Sequence, residues 1–283
     1  MGKFSKALDK ASHSTQSAIG EQSPETRAVE DKPVRRSVVG PLRKTARQYS
    51  SGSWDKRLSQ ATTMTGPAAE SFRTLRSRIL HPATGVVPKS LLITSAVPGE
   101  GKTFVCANLG VALAQGIDQY CLMVDCDLRK PALHKLFGLS PDSGLANFLR
   151  DGDDLASMII AAGVNTLSLL PAGPPPVNPA ELLASGNMTR LVDELESRYD
   201  DRIILLDSPP LQAASETAVL ARQVDGVILV VRWGGSRREH LLKLVELIGA
   251  DRIVGVVFNA FETNIMDTKL FGSYEYYAYE ETS

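Results

Sequence analysis

The sequence predicts an α/β fold in which an open, mostly parallel β-sheet carries helices on both faces. Short runs rich in Val, Ile and Leu recur along the chain without polar alternation, as is typical of strands covered on both sides. Helical segments separate these runs, and strand–helix alternation implies right-handed crossovers in a doubly wound sheet. Because ligands of such sheets bind beyond the carboxyl ends of the strands, the residues that follow each strand are the candidates for function.

The individual elements follow from these patterns in chain order. We predict helices over residues 68–80, 104–114, 190–198 and 240–247, and strands over residues 91–95, 121–124, 166–170, 203–206, 226–231 and 253–258. Residues 1–65 are rich in Ser, Thr, Gln, Pro and charged side chains, which predicts a disordered segment that serves as a linker or a docking peptide. The folded domain is expected over residues 66–265 and a mobile tail over residues 266–283.

Composition narrows the classes of function. The 283 residues carry a formal net charge of −1, which gives no general argument for a nucleic-acid partner. The three cysteines form no C-x-x-C pair and are expected to be buried, reduced thiols in a reducing cytosol. No stretch reaches the roughly 18 to 20 apolar residues of a membrane-spanning helix. We therefore expect a cytoplasmic chain, which only a partner would bring to a membrane.

A phosphate-binding loop follows the first predicted strand. Residues 96–103 read Ala-Val-Pro-Gly-Glu-Gly-Lys-Thr between a strand and a helix, with Ala96 in place of the motif's first glycine. Gly99 and Gly101 let backbone N–H groups approach phosphates, and the following helix directs its positive dipole end at them. Lys102 is expected to reach the β- and γ-phosphates of ATP, and Thr103 to offer its hydroxyl to Mg²⁺. The fold class is therefore that of a P-loop NTPase. The predicted nucleotide-binding residues are Pro98, Gly99, Glu100, Gly101, Lys102, Thr103, Phe104 and Asn259.

Carboxylates follow two further predicted strands. Asp125 and Asp127 leave the second strand at i and i+2 and can face the same space, while Asp207 closes the fourth strand as a Walker B carboxylate. Mg²⁺ prefers hard oxygen ligands, often through water, so Asp127 and Asp207 join Thr103 as its predicted ligands. Asp125 can act as the base that takes a proton from an attacking hydroxyl, or it can lie on the metal side. With Lys102, the three aspartates form the predicted catalytic set, which suits either a kinase or an ATPase switch.

The C-terminal residues distinguish between these two functions. Four of the seven tyrosines fall within six positions, and the glutamates among them exclude a periodic buried face. Such a tail is a good phosphoacceptor, and each phosphate adds about −1.5 to −2 charges. The predicted phosphoacceptors are Tyr274, Tyr276, Tyr277 and Tyr279.

Together these motifs resemble those of the bacterial tyrosine kinases (BY-kinases) of polysaccharide co-polymerase systems. The resemblance runs from about residue 67 to the end, with residues 95–103 as the Walker A loop, 124–129 as Walker A′ and 204–210 as Walker B. It implies an ATP-dependent autokinase that phosphorylates its tyrosine cluster in trans between subunits. It also implies a role in regulating the synthesis and export of exopolysaccharide or capsule.

The resemblance implies partners as well. Glu70, Arg73 and Arg76 match the family's E-x-x-R-x-x-R oligomerisation helix, so they would pair with a neighbouring subunit in a homo-oligomeric ring. Taken alone, they are charges at i, i+3 and i+6 of a helix, which usually form only a solvated face. The chain resembles the split type, whose activator is a separate transmembrane co-polymerase that recruits the kinase to the inner face of the plasma membrane. A cognate tyrosine phosphatase would reverse the reaction.

One alternative shares the fold and the Walker motifs, namely a ParA/MinD-type ATPase switch. The loop of that class carries a signature lysine two residues before the first glycine of G-x-G-K-T, where this chain has Val97. MinD-like proteins also end in a membrane-targeting helix, whereas this tail is acidic and aromatic. The sequence therefore favours the kinase and leaves the switch as the alternative.

Overall fold

The structure of the chain is a computed structural model that describes residues 54–58, 66–83, 85–199, 201–213 and 216–260. The predicted tyrosine tail and most of the predicted N-terminal linker lie outside the described residues.

A single, mostly parallel sheet of seven strands forms the centre of the described part of the chain. The strands are β1 (Ser90–Ser95), β2 (Tyr120–Asp125), β3 (Ile160–Ala161), β4 (Leu167–Leu170), β5 (Arg202–Asp207), β6 (Gly226–Arg232) and β7 (Ile253–Asn259). Their order is β3-β4-β2-β5-β1-β6-β7, and every neighbouring pair is parallel except β3 with β4. The predicted α/β class with an open, mostly parallel sheet is confirmed.

Helices cover both faces of this sheet. They are α1 (Pro67–Leu80), α2 (Lys102–Ala114), α3 (Leu133–Leu136), α4 (Leu145–Asp151), α5 (Leu155–Met158), α6 (Pro179–Leu183), α7 (Gly186–Arg198), α8 (Glu216–Leu220) and α9 (Arg238–Ile248). The predicted strands and helices are all present, and the largest displacement is at α7, which begins four residues before position 190. It begins there because the side chain of Ser185 caps the helix by accepting the Met188 N–H. Among the described residues, no helix combines the length and the apolarity needed to cross a bilayer.

Two apolar clusters, one on each side of the sheet, hold the layers together. Strand residues contribute to them alternately: Leu92 and Leu206 belong to the cluster that contacts α7 and α9, and Ile93 and Leu205 to the one that contacts α1 and α2. The helix α2 is buried along residues 105–114, so the segment after the P-loop is held on all sides. The three cysteines are buried and unpaired, as predicted.

The strand β7 departs from the prediction that the strands are covered on both faces. It lies at the edge of the sheet, and its burial alternates, with Val254, Val256 and Phe258 exposed. The prediction was wrong here because nearly every residue of β7 is apolar. An unbroken apolar run does not show which face of a strand is exposed.

Residues before the predicted domain boundary also pack on the folded body. Trp54 and Leu58 are buried, and the Trp54 ring meets the Phe137 ring edge-on with centroids 5.5 Å apart. The Asp55 N–H donates to the Leu136 carbonyl at 2.8 Å. These residues therefore contribute to the core, although the sequence groups them with the linker.

Candidate active site

The loop between β1 and α2 has a backbone suited to binding phosphate. Gly99 and Gly101 take φ values of 81° and 88°, in the left-handed region that residues with a Cβ rarely adopt. Gly101 caps the N-terminus of α2, and Lys102 and Thr103 are the first two residues of that helix. The unpaired N–H groups of the first helical turn and the positive dipole end therefore lie at this loop.

Side chains from two other segments brace the loop. Asn259, the last residue of β7, donates from Nδ2 to the Glu100 carbonyl at 2.9 Å. A Cβ on Gly101 would lie 2.0 Å from the same Nδ2, so glycine is required by this contact as well as by its φ. The carboxylate of Glu100 is buried and accepts the Val97 N–H at 3.2 Å and the Ser236 hydroxyl. The side chains of Glu100 and Asn259 thus contact the loop and its supports, which the motif alone did not reveal.

The lysine of the loop lies beside one of the predicted aspartates. Lys102 Nζ is 3.5 Å from Asp127 Oδ2, and the two side chains are 12% and 11% exposed. The other oxygen of Asp127 accepts the Lys130 N–H at 3.1 Å. Because the pair is largely withdrawn from solvent, its charges are screened less than those of a surface pair. The amine and the carboxylate therefore face a common space at the carboxyl end of the sheet.

The other two aspartates lie side by side at the ends of neighbouring strands. β2 and β5 pair with Asp125 opposite Asp207, and both side chains are fully buried. Asp125 accepts the backbone N–H groups of Asp127 and Leu133 at 3.2 and 3.1 Å. Among the described residues, neither carboxylate oxygen of Asp207 has a hydrogen-bond partner. The structure thus brings together the acidic residues that the sequence placed only after separate strands.

Burial raises the pKa of both carboxyl groups. Burial and then the charge of Asp207 hold the pKa of Asp125 well above its ordinary value, although its two backbone N–H bonds oppose this rise. Burial raises the pKa of Asp207 to about 7, and the charge of Lys102 is the largest effect that opposes this rise. A buried carboxylate without donors is costly, so a cation at this position would be stabilising.

The oxygen atoms at this edge fit a hard cation that keeps part of its water shell. No three His, Cys, Asp or Glu side chains of the described segments converge as a complete metal cage. Mg²⁺, however, is commonly held by one or two carboxylates together with waters and substrate phosphates. The unpartnered oxygens of Asp207, the Asp127 carboxylate and the Thr103 hydroxyl have the chemistry that such a site needs.

An ion pair next to Asp127 was not predicted from the sequence. Arg129 donates from Nε and Nη2 to Glu216 Oε1, at 3.1 and 3.0 Å. Glu216 is the first residue of α8, and only 2% of its side chain is exposed. No sequence signal marks Glu216, because α8 has five residues and the ion-pair partner is 87 positions away.

The three residues assigned to a subunit interface have partners within the chain. Arg73 Nη1 donates to Glu70 Oε2 at 2.7 Å on the outer side of α1. Arg76 Nη1 donates to the Ala112 carbonyl at 2.9 Å, in the last turn of α2. An intersubunit role for these residues stays a prediction. The predicted phosphoacceptor tyrosines lie outside the described residues.

Comparison with known proteins assigns the chain to a family. Residues 91–279 match the family model described as the CobQ/CobB/MinD/ParA nucleotide binding domain. The tyrosine-protein kinase YwqD of Bacillus subtilis is 35% identical over 193 residues, which make up 68% of this chain and 80% of YwqD. Longer tyrosine-protein kinases match as well, and the chain spans less than a third of their length.

Solved structures agree with this assignment. The kinase domain of the Escherichia coli tyrosine kinase Etk is 33% identical, with a TM-score of 0.65 over 73% of this chain and 82% of that domain. A ParA-family ATPase from Chlorobium tepidum is 21% identical with a TM-score of 0.50, a likeness that concerns the fold alone. The switch alternative therefore has no support beyond the shared fold. By its P-loop, its paired aspartates and these relatives, the chain belongs to the bacterial tyrosine-protein kinases, which are built on the CobQ/CobB/MinD/ParA nucleotide-binding domain.

Proposed function

We propose that the chain uses ATP and Mg²⁺ to phosphorylate the C-terminal tyrosine cluster of a neighbouring copy. The observation that carries this proposal is the convergence of four predicted catalytic side chains at one edge of the sheet. Lys102 lies 3.5 Å from Asp127, and Asp125 is in register with Asp207. β1, which leads into the P-loop, is the direct neighbour of β5, so phosphates held by the loop lie close to these carboxylates.

In this proposal each residue at the carboxyl end of the sheet has a separate role. The P-loop N–H groups and Lys102 bind the β- and γ-phosphates and orient the γ-phosphorus for in-line attack. Thr103, Asp127 and Asp207 hold Mg²⁺, which when bound neutralises charge on the phosphate oxygens. The brace on the P-loop keeps the N–H groups in place before the nucleotide arrives, because Asn259 and Glu100 are already hydrogen-bonded.

Asp125 is the proposed proton acceptor. Asp125 lies opposite Asp207 at the end of β2, close to the proposed phosphate site, and burial and the charge of Asp207 raise its pKa. Its two backbone N–H bonds hold it in one orientation. As the tyrosine oxygen forms its bond to the γ-phosphorus, the phenolic proton passes to Asp125 and ADP leaves.

The cellular setting is proposed from the family resemblance. We expect a homo-oligomeric ring through Glu70, Arg73 and Arg76, in which the tail of one subunit enters the site of the next. Phosphorylated tails repel one another by their added charge, which would open the ring. A separate transmembrane activator and a tyrosine phosphatase would set this cycle at the inner face of the membrane, where it tunes exopolysaccharide export. The division into a segment 1–65, a kinase domain 66–265 and a tail 266–283 belongs to the same proposal, with Trp54 and Leu58 of the first segment packed on the kinase domain.

The proposal is tested by incubating the purified chain with ATP and Mg²⁺ and mapping phosphotyrosine by mass spectrometry. We expect phosphate on Tyr274, Tyr276, Tyr277 and Tyr279. Replacing all four by Phe should remove most of the signal, and Lys102→Met should abolish it while the fold stays intact. ATP turnover without tail phosphotyrosine, in the presence of a co-expressed membrane activator, would contradict the proposal and favour a switch.

A further inference from the structure

Arg129 lies at the rim of the candidate active site. It follows Asp127 by two positions, and the next residue, Lys130, donates its N–H to Asp127 Oδ1 at 3.1 Å. This bond holds the backbone next to Arg129 beside the carboxylate that faces Lys102. Its own side chain is 44% exposed, which leaves part of the guanidinium in contact with solvent.

Glu216 fixes the orientation of this guanidinium. Its buried carboxylate needs a charged partner, and one oxygen accepts both Nε and Nη2 of Arg129. A guanidinium is a rigid planar fork with five N–H groups, and Nε and Nη2 form only one of its donor edges. The second edge, formed by Nη1 and Nη2, has no other partner among the described residues. It can donate to both oxygens of a carboxylate in bidentate geometry.

We propose that Arg129 is a specificity-determining residue that binds a carboxylate flanking the acceptor tyrosine, with Glu216 as its positioning residue. The inference rests on the proposed function. It is supported by the opposite charges of Arg129 and the C-terminal tail of a second copy. In that tail each of the four clustered tyrosines lies within two positions of Glu275 or Glu280. The exposed Lys130 adds a second positive charge at the same rim.

The alternative place for the flanking carboxylate is a cleft next to the ion pair. Glu216 lines this open cleft of about 280 Å³ together with Ala180, Glu181, Ala184 and Val219. Two of these five residues are acidic, so a further carboxylate inside the cleft would be repelled. The outer edge of Arg129 is therefore the better position for the acidic side chain.

The test compares two acceptor peptides with several enzyme variants. One peptide carries residues 272–283, and the other has Gln in place of Glu275, Glu280 and Glu281. The enzyme is the full chain with its four tail tyrosines replaced by Phe, so that the peptide is the main acceptor. Variants are Arg129→Gln, Arg129→Lys and Glu216→Gln. Arg198→Gln is the control, because Arg198 also pairs with a glutamate, Glu194, but it ends α7 just before β5 begins and is therefore at the amino end of the strands, away from the site.

We expect the acidic peptide to have a KM roughly tenfold lower than the neutral peptide with the parent enzyme, as one charge-assisted bidentate contact allows. In Arg129→Gln this preference should disappear, while kcat and the KM for ATP stay within about twofold. Arg129→Lys should keep part of the preference, since it retains the charge but loses the fork. Glu216→Gln should weaken the preference without changing kcat, and the control should keep it in full.

Three outcomes would overturn this inference. The first is that the parent enzyme has equal KM values for the two peptides. The second is that Arg129→Gln raises the KM of both peptides by the same factor. The third is that Arg129→Gln changes the KM for ATP and leaves the KM values of the peptides unchanged. The last outcome would show that Arg129 contacts the nucleotide. Peptide binding is also measured without turnover, by fluorescence anisotropy in the presence of ADP and Mg²⁺, where the same preference is expected. If no peptide and no tail is ever phosphorylated, the proposed function fails, and the anisotropy result still decides the role of Arg129.

Discussion

Replacing Asp207 by Asn should make the ligand-free chain more stable at about pH 8 and at the same time abolish phosphoryl transfer. Asp207 is fully buried, and neither of its oxygens has a hydrogen-bond partner among the described residues. A charge in this position opposes folding unless a cation compensates it. Asparagine has nearly the same shape without the charge, so the substitution isolates the electrostatic cost of the carboxylate.

The magnitude follows from the change in pKa on folding. Burial raises the pKa of Asp207 from 3.8 to about 7, and this difference corresponds to about 4 kcal/mol. Between these two values the folded chain keeps a proton that the unfolded chain releases, so wild-type stability falls as the pH rises toward about 7 and then levels off. The advantage of the variant should therefore grow by about 2 kcal/mol between about pH 5.5 and about pH 8.

Other contributions do not change the direction of this prediction. The unpartnered amide of Asn costs about 1–3 kcal/mol, but this cost is the same at both pH values. Removing the charge of Asp207 also lowers the pKa of Asp125, because that charge is one cause of its rise. A lower pKa at Asp125 favours the variant further at high pH.

The assay is urea unfolding of both proteins at about pH 5.5 and about pH 8, with chelator present and without nucleotide. The exposed residue Asp142 supplies the matched control, and Asp142→Asn should leave stability within about 0.5 kcal/mol of the wild type. Kinase activity is measured in parallel with Mg²⁺, where Asp207→Asn should lose at least about a hundredfold. If the stability difference between variant and wild type does not depend on pH, Asp207 is not an uncompensated buried carboxylate and the reasoning is refuted.

Three further predictions concern the P-loop and α1. Gly101→Ala should reduce nucleotide affinity in equilibrium titration, because Gly101 has a φ of 88° and a Cβ would lie 2.0 Å from Asn259 Nδ2. Adding Asn259→Ala should relieve the contact but not the φ, so full recovery in the double variant would contradict this reading. Asn259→Asp removes the donor to the Glu100 carbonyl and should raise the KM for ATP by roughly tenfold, with kcat less affected. An unchanged KM for ATP would show that this hydrogen bond does not support nucleotide binding. Arg76→Ala should lower the free energy of unfolding of the monomer in urea by about 1 kcal/mol, because Arg76 Nη1 donates to the Ala112 carbonyl. An unchanged free energy of unfolding would leave Arg76 available for an intersubunit role.

The sequence predicted much of the fold because its strands are short apolar runs that end in polar, functional residues. Asp125 and Asp207 were both placed after strands, and parallel strands bring such ends to one edge. Their direct pairing depends on β2 and β5 being neighbours in the sheet. Strand order is a property of the whole chain, so local patterns did not contain it.

The parts that escaped prediction lack either periodicity or a local partner. The helices α3, α5, α6 and α8 have four or five residues, too few for a helical pattern to emerge. Glu216 was not predicted at all, and Asn259 was predicted to bind nucleotide but not to support the P-loop. Their partners lie 87 and 159 positions away. No local pattern marks either contact, because each partner becomes a neighbour only in the folded chain.

Two kinds of residue at the site should respond in opposite ways to the removal of ligand. Among the described residues Asp207 has no hydrogen-bond partner, so it gains from a bound cation and destabilises the protein when that cation is removed. Asn259 and Glu100 are already hydrogen-bonded to the P-loop. They therefore reduce the entropy that the loop loses on binding nucleotide, but the ligand adds little to their own stabilisation. Substituting Asp207 should therefore weaken the stabilisation by Mg²⁺ and nucleotide while raising ligand-free stability. Substituting Asn259 should lower both, and this difference separates a residue that binds the ligand from one that prepares the loop for it.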